Sequence, residues 1–496
     1  MDWIWLGVLF LGLISVIFFS EIVRKHFHWS IKVTRKFVHI LTGILIALTP
    51  FLMESSYPLL CISGIFIIAN YWAIKKNWMP GMHATDRISY GTFFYPVSFF
   101  ILILLLWNNF KSIVMISMLI MAIGDAAAAI IGESIKNPIH YQFSGERKSG
   151  QGSLVMFGVT LLITFSGLIL FASVDDISVT LLQSIWFAII VAVLATACES
   201  ISYLGSDNLS VPLGAAFSIH FLISHSSEQN IYFTLGVGLA LLIAYLSFRF
   251  HFLSGSGAVA TFLLGSVVFG IGKWEFSLPL LLFFLLSSLL SKTGKQWKKK
   301  FADTFQKGGQ RDLGQVFANG GIAGIIVLLW NYFPNDVWYF LFLGSIAAVT
   351  ADTWETEIGV FSRIMPRNIL DFKKVSPGTS GGVTILGFLG GLAGSFIIVF
   401  LGSLATQRYD QIPVILFLSI IGAGIFGSVV DSIIGATIQA QYKCPNCGKI
   451  TEKKIHCQDY KTTLVSGLKF IDNDMVNAAC ALSGAVFAWG AYLFVK

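Results

Sequence analysis

The sequence predicts an all-α integral membrane protein with about sixteen transmembrane helices, arranged as two halves that repeat in parallel. Of its 496 residues, 55% are hydrophobic and only 12% are charged. The mean hydropathy is +0.76. A soluble domain carries roughly 25% charged residues, so the composition excludes a soluble enzyme, a secreted disulfide scaffold and a disordered chain.

Apolar stretches supply the helix count, because roughly 17–25 such residues are needed to cross the hydrocarbon core of a bilayer. The weakest are 211–223 and the closely spaced pair 256–272 and 276–291. In order, the sixteen stretches lie near residues 3–20, 37–53, 57–74, 92–107, 113–131, 154–172, 179–198, 211–223, 231–248, 256–272, 276–291, 313–330, 338–360, 383–402, 412–438 and 475–495.

The basic residues predict the orientation. When alternate loops are assigned to alternate sides, one side holds 29 of the 33 Lys and Arg residues and the other holds four. Cytoplasmic loops carry the excess of positive charge. We therefore expect a plasma or inner membrane protein with cytoplasmic motif loops and external termini. The net charge of +7 then reflects membrane orientation, and no nucleic-acid partner is expected.

Polar motifs recur in the same order in both halves. Gly124-Asp125-Ala126 corresponds to Ala351-Asp352-Thr353, and Lys148–Ser153 corresponds to Lys374–Gly381. Arg35–His39 corresponds to Arg311–Gln315. Their predicted sidedness is also the same, which indicates a parallel duplication rather than an inverted repeat. We place the boundary near residue 245, giving domains 1–245 and 246–496.

Acidic residues in or beside the apolar stretches are the first candidate functional groups. A charge inside a membrane is costly, so it marks a functional site by default. One such residue would be equally well explained by hydrogen bonds to a neighbouring helix, but several recur here in duplicated contexts. Carboxylates together with phosphate oxygens are what Mg²⁺ prefers. The proposed Mg²⁺ ligands are Asp125, Glu199, Asp207, Asp352, Asp431 and Asp472.

A basic, Gly-rich loop follows each intramembrane Asp and precedes a helix. Freed backbone N–H groups, a helix N-terminus and a Lys side chain together form an anion cradle. Neither loop has the Walker pattern, and an ordinary interhelical turn is the alternative for either loop alone. Acidic residues that bind a metal ion, together with a loop that binds phosphate, are what phosphoryl transfer requires. The proposed nucleotide-binding residues are Arg35, Lys36, Lys148, Gly150, Gly152, Arg311, Lys374, Ser376, Gly378, Thr379 and Ser380.

A cysteine-containing loop near 440–472 is polar and predicted to be cytoplasmic. Cys444 and Cys447 form a Cys-x-x-Cys turn, and His456 with Cys457 completes four donors for a tetrahedral, structural Zn²⁺ site. Plain reduced thiols are the alternative, because adjacent His and Cys ligands are sterically awkward.

Two family resemblances rest on these motifs. Arg35–His39, Gly124–Ala128 and Lys148–Ser153 resemble the phytol kinase and dolichol kinase family over about residues 30–225. Ser254–Ala258, Arg311–Asn319, Ala351–Gly359 and Ser376–Gly382 resemble the polytopic membrane family that includes phytyl-phosphate kinase, over about residues 245–495. The resemblance implies CTP-preferring kinases of isoprenoid alcohols and isoprenoid monophosphates. A fusion would phosphorylate its membrane lipid substrate twice.

The catalytic candidates under this hypothesis are Asp125 and His39 in the first half and Asp352 and Glu355 in the second. Asp352 and Glu355 are three residues apart and share a helix face, whereas Glu357 is rotated away from them. A secondary transporter and a lipid cytidylyltransferase remain alternatives. The transporter would place its polar groups near the bilayer midplane, and the cytidylyltransferase would release pyrophosphate rather than CDP.

Overall fold

The computed structural model describes residues 1–76, 89–293, 310–406, 412–457 and 460–495. Most of the basic loops expected at 75–91 and 292–312 therefore lies outside the described residues. The chain divides into two compact units, Met1–Asn230 and Ile231–Lys496. The helix Ser227–Arg249 contains both this division and the boundary near residue 245 that the sequence predicts.

The first unit is built from helices joined by short connections. Ser30 caps the second helix by accepting a hydrogen bond from the Val33 N–H at 3.4 Å. The helices are Asp2–Phe27, Ile31–Ala47, Thr49–Leu52, Tyr57–Lys75, Gly91–Leu106, Lys111–Leu119 continuing through a π-helical segment at Ile120–Asp125 into Ala126–Ser134, Gly150–Leu170, Leu181–Ser200 and Asp207–Ser224.

The second unit combines long helices with a small β-module. Its helices are Ser227–Arg249, Gly255–Ile271, Lys273–Thr293, Leu313–Tyr332, Val337–Gly359, Ile385–Ala405, Val414–Thr437 and Asn473–Val495. Short strands at Gln441–Lys443, Ile450–Thr451 and Thr463–Ser466 form an antiparallel sheet, and Ile455–His456 pairs with Tyr460–Lys461.

The helix count predicted from the sequence is confirmed, since each of the sixteen apolar stretches coincides with a helix in the described part of the chain. In the part of the chain that the structure describes, thirteen helices are long and apolar enough to cross a membrane. Gly91–Leu106 and Gly255–Ile271 are apolar but shorter. The remaining one, Asp207–Ser224, contains the weak stretch 211–223 and carries Pro212 in its interior.

Both units contain the same helix–hairpin–helix arrangement around the intramembrane Asp. In the first unit, strands His140–Tyr141 and Lys148–Ser149 pair between two long helices. In the second, Arg367–Asn368 pairs with Gly382–Val383. The helix after each hairpin begins in the same way: Ser149 Oγ accepts from the Gly152 N–H at 3.1 Å, and Thr384 Oγ1 accepts from the Gly387 N–H at 3.0 Å.

Glycines bring the core helices of the second unit into backbone contact. A Cβ atom on Gly484 would lie 2.5 Å from the Gly344 carbonyl oxygen, and one on Gly344 would lie 2.6 Å from the Gly484 oxygen. Small residues permit this approach where apolar burial gives no driving force between helices in lipid. The contact fixes the helix Val337–Gly359, which carries Asp352 and Glu355.

Candidate active sites in the two units

Asp125 lies at the end of a π-helical segment inside the long helix Lys111–Ser134. Such segments re-aim side chains and occur often at functional sites. The charges of Asp207, Lys148 and Glu199 all act on Asp125. Three acids from three different helices are thus brought together with Lys148, as the sequence repeat predicts for this half.

Lys148 is the cation of this first acidic cluster, defined by Asp125, Glu199 and Asp207. Its Nζ donates to Glu199 Oε1 at 2.6 Å, to Ser202 Oγ at 2.6 Å and to the Glu199 carbonyl oxygen. Ser202 Oγ donates in turn to Asp207 Oδ2 at 3.2 Å. Burial alone would lower the pKa of Lys148, but the charges of Glu199 and Asp207 raise it above its ordinary value.

His39 and the basic residues before it approach the same cluster. His39 Nε2 lies 3.4 Å from the Met121 carbonyl oxygen in the π-helical segment. Its ring packs edge-on against Tyr95 at 4.8 Å, and the charges of Asp207 and Arg35 act on it. Lys36 extends to Glu133 Oε1 at 3.7 Å.

Gly150 and Gly152 have their N–H groups engaged within the protein. The Gly150 N–H donates to the Ile139 carbonyl oxygen at 2.8 Å, and the Gly152 N–H donates to Ser149 Oγ. A Cβ atom on Gly152 would lie 3.0 Å from the Ala128 oxygen. These glycines join the hairpin to the Asp125 helix, so their predicted phosphate contacts would require their N–H groups to change partners.

The second acidic cluster consists of Asp352, Glu355, Asp431 and Glu452. Asp352 and Glu355 share a face of the helix Val337–Gly359, and Ser428 Oγ from the helix Val414–Thr437 donates to Glu355 Oε2. The charges of Asp352, Glu452 and Glu355 act on Asp431. Among the described residues, no Lys or Arg makes an ion pair with Asp352, Glu355 or Asp431, in contrast to the first unit.

The donor set of this second cluster fits a divalent cation. Asp431 Oδ2 is buried and has no hydrogen-bond partner in the part of the chain that the structure describes. An orphaned carboxylate oxygen beside further acids is costly unless a cation compensates it. Mg²⁺ takes one or two carboxylates together with phosphate oxygens as ligands.

The loop Ser376–Gly382 packs against the helix that carries Asp431. Gly378 and Gly381 have φ values of +86° and +75°, which favour glycine. A Cβ atom on Gly381 would also lie 2.5 Å from Ala436 Cβ and 2.7 Å from the Ser432 oxygen. Thr379 Oγ1 donates to the Ser376 carbonyl oxygen at 2.8 Å. The predicted nucleotide loop therefore adjoins the second cluster.

Lys374 and Lys373 are exposed on this hairpin. Lys373 Nζ pairs with Asp371 Oδ2 at 2.9 Å, and within the described ranges Lys374 makes no ion pair. Lys374 thus differs from its counterpart Lys148, which is held by Glu199. Its ammonium group is available to a phosphate.

Arg311 lines an apolar groove of the second unit. Its guanidinium is 5.3 Å from the Phe283 ring centre and 5.7 Å from that of Phe284. Burial lowers the pKa of Arg311 to about 10, and the Glu357 charge opposes this shift. Arg311 therefore stays cationic at neutral pH. The groove walls are otherwise mostly aliphatic and aromatic, with Gln315 and Asn319 next to Arg311.

Glu357 lies on another face of its helix, and Asp472 caps the helix that follows it. Ser291 Oγ donates to Glu357 Oε1 at 2.8 Å, on the helix face that the sequence separates from Asp352 and Glu355. Asp472 Oδ1 accepts from the Met475 N–H at 3.2 Å, which is a helix cap. Glu452, which lies in the cysteine-containing loop and belongs to no motif of the repeat, acts on Asp431.

The cysteine-containing loop brings its four predicted metal ligands together. The donor atoms of Cys444, Cys447, His456 and Cys457 all lie within 4.8 Å of one another. Cys457 has φ +49°, and this turn allows adjacent His and Cys side chains to face one point. Burial of the Cys444 thiol opposes ionisation, but the Cys447 N–H and the His456 ring lower its pKa to about 6.

The fold and the two clusters define a polytopic membrane protein in which acidic clusters recur beside basic hairpins. A family model described as integral membrane protein DUF92 matches residues 238–485. Protein PGR of Arabidopsis thaliana is 34% identical over 261 residues, which cover 48% of this chain and 88% of that protein. The chain therefore belongs to the DUF92 family of integral membrane proteins.

Further relatives carry the name of the kinase family that the sequence resembles. Phytol kinase of Synechocystis sp. is 31% identical over 227 residues, covering 43% of this chain and 89% of that enzyme. Probable phytol kinase 1, chloroplastic, of Oryza sativa subsp. japonica is 27% identical over 215 residues, covering 40% and 66%. These matches confirm the resemblance. No solved structure matches the chain.

Proposed function

We propose that the protein is an isoprenoid kinase with two cytoplasm-facing sites, the first acting on the alcohol and the second on the monophosphate. CTP is the proposed phosphoryl donor, as the resemblance implies. The relatives named phytol kinase support phosphorylation of an isoprenoid alcohol. The repeated helix–hairpin–helix arrangement supports two sites of common origin.

The proposed division of labour rests on one difference between the repeats. His39 in the first unit corresponds to Gln315 in the second. An alcohol must lose a proton when its oxygen attacks phosphorus, whereas a monophosphate is already ionised at neutral pH. His39 can accept a proton and adjoins the Asp125 cluster. Gln315 cannot, and its side chain accepts from the Asp312 N–H at 3.4 Å. The first unit is therefore equipped for the alcohol.

In the first step, the alcohol oxygen would bond to the γ-phosphorus while the bond from that phosphorus to the β–γ bridging oxygen breaks, releasing CDP. His39 or Asp125 would take the hydroxyl proton. Lys148, once displaced from Glu199, would meet the transferred phosphoryl oxygens. Mg²⁺ bound by the acids would neutralise phosphate charge in both sites.

The apolar groove of the second unit supports a lipid phosphate as the second substrate. Arg311, Gln315 and Asn319 are spaced four residues apart and lie together on the groove wall. A cation at the end of an aliphatic and aromatic surface matches a phosphate attached to an isoprenoid chain. We therefore assign Arg311 to the lipid phosphate, and leave the nucleotide to Lys374 and the loop Ser376–Gly382.

Purified protein with labelled CTP, ATP, GTP or UTP, offered prenyl alcohols or prenyl monophosphates, tests the proposal. We expect His39→Gln and Asp125→Asn to abolish alcohol phosphorylation and to spare monophosphate phosphorylation. Asp352→Asn should do the reverse. Equal loss of both activities in any of these variants would indicate one shared site. Release of pyrophosphate in place of CDP would identify a cytidylyltransferase, and substrate flux without phosphorylation would identify a transporter.

A further inference from the structure

The segment 441–466 is too small to hold its shape through apolar burial. Its strands are two to four residues long, and the strand Thr463–Ser466 is exposed throughout. Ile450, Ile455 and Tyr460 are each more than half exposed. Modules of this size usually require a disulfide or a metal to fold, and its cysteines are free thiols.

The geometry of the first ligand pair is that of a metal-binding turn. The Gly448 N–H donates to the Cys444 carbonyl oxygen at 2.9 Å, and the Cys444 N–H donates to the Lys449 oxygen at 3.0 Å. Gly448 has φ +69°. The second pair follows from a separate hairpin, in which His456 opposes Tyr460. Three thiols and one imidazole from two turns match a structural zinc site.

Glu452 lies between the two ligand pairs and reaches outside the segment. Its Oε1 accepts from Ser380 Oγ at 2.9 Å and from Gln439 Nε2 at 2.9 Å. Gln439 is almost fully buried, just after the helix that carries Asp431. The metal-binding segment is thus hydrogen-bonded to the loop Ser376–Gly382 through one carboxylate.

We propose that the Cys444, Cys447, His456 and Cys457 side chains bind a structural Zn²⁺ ion, and that this ion holds Glu452 in place as a positioning residue for the Ser376–Gly382 loop. Zinc binding then determines how well ordered the Ser376–Gly382 loop is. The role of the loop in nucleotide binding rests on the proposed function. The zinc site and the hydrogen bond between Glu452 and Ser380 do not depend on that function.

Two measurements on the full-length protein in detergent test the proposal, and neither depends on kinase activity. Elemental analysis should find one zinc per chain in the parent and none in the Cys444→Ser/Cys447→Ser double variant. Hydrogen exchange of the 376–382 peptide should accelerate roughly tenfold when zinc is removed by chelation, as loss of a hydrogen bond to a charged group predicts.

Glu452→Gln separates the positioning role from folding. This variant should keep its zinc and its thermal unfolding temperature, yet show the accelerated exchange at 376–382. Lys454→Gln, an exposed position on the same module, is the matched control and should leave both readouts unchanged. If monophosphate kinase activity is measured, Glu452→Gln should raise the KM for nucleotide more than it lowers kcat.

A parent protein that contains no zinc and retains none after incubation with Zn²⁺ would overturn the metal assignment. Unchanged exchange of the loop in both Glu452→Gln and the chelated protein would overturn the positioning role. Absence of kinase activity with both readouts as expected would count against the proposed function alone.

Discussion

Replacing Lys148 with Met should destabilise the first unit far more than removing a surface charge. Met keeps most of the aliphatic stem, so the change removes the ammonium group and its three hydrogen bonds to Glu199 and Ser202. The side chains of Lys148 and Glu199 are 13% and 10% exposed. Glu199 would then remain beside Asp125 and Asp207 without its ion-pair partner.

The size of the effect follows from this burial. Removing one partner of a buried ion pair costs about 3–5 kcal/mol, because the other charge is left uncompensated. An exposed pair contributes about 0–1 kcal/mol. The Lys36–Glu133 pair, with its Glu133 side chain 65% exposed and 3.7 Å between the charged atoms, is therefore the matched control. Glu133→Gln should have little effect on stability.

The strictest test is the effect of Glu199→Gln on stability, which should change sign between the parent and the Lys148→Met variant. In the parent, Glu199→Gln removes a partner of Lys148 and should destabilise. In the Lys148→Met background, the same change removes an uncompensated charge and should stabilise. A double-mutant cycle measures this coupling directly.

Thermal unfolding in detergent, followed with a thiol-reactive dye, suits this cycle because Cys198 is buried next to Glu199 in the chain. Cys61 and Cys447 are already exposed in the folded protein, so their reaction with the dye sets the baseline. The reasoning would be refuted if Glu199→Gln destabilised the Lys148→Met variant further, or if Lys148→Met and Glu133→Gln lowered the unfolding temperature equally.

Three further substitutions test the second unit. Gly484→Ala should lower the unfolding temperature by several degrees, because its Cβ would lie 2.5 Å from the Gly344 oxygen. Gly490→Ala, on the same helix, meets nothing within 4 Å and should leave the unfolding temperature unchanged. Equal unfolding temperatures of the two variants would contradict the close helix contact. Gly381→Ala should disorder the loop through its positive φ and its contact with Ala436, measured as faster exchange at 376–382, and unchanged exchange would argue against this account. Ser428→Ala should raise the Mg²⁺ concentration needed for half-maximal monophosphate phosphorylation, because its hydroxyl orients Glu355; an unchanged Mg²⁺ dependence would remove Glu355 from the metal site.

The helices could be predicted from the sequence because apolar length is a local property. Each of the sixteen stretches was located to within a few residues, apart from longer ends such as Asp2–Phe27. The pairing of Asp125 with Glu199 and Asp207 followed from the repeat. The π-helical segment at Ile120–Asp125 left no such signal, since it arises from packing around the helix and not from residue type.

The differences between the two clusters depend on contacts between segments distant in the chain. Nothing in Lys148–Ser153 indicates that Lys148 is held by Glu199, which lies fifty-one residues later. Glu452 shows the same limit more clearly, because it lies inside the cysteine-containing loop and its sequence context is that of an ordinary charged residue on a short hairpin. Only the fold places its carboxylate on Ser380. Asp472 Oδ1 caps the helix Asn473–Val495, and its role as a Mg²⁺ ligand stays a prediction. If the second site acts as proposed, Glu452 adds a carboxylate beside Asp431, and the two repeats have diverged by adding the cysteine-containing loop to one of them.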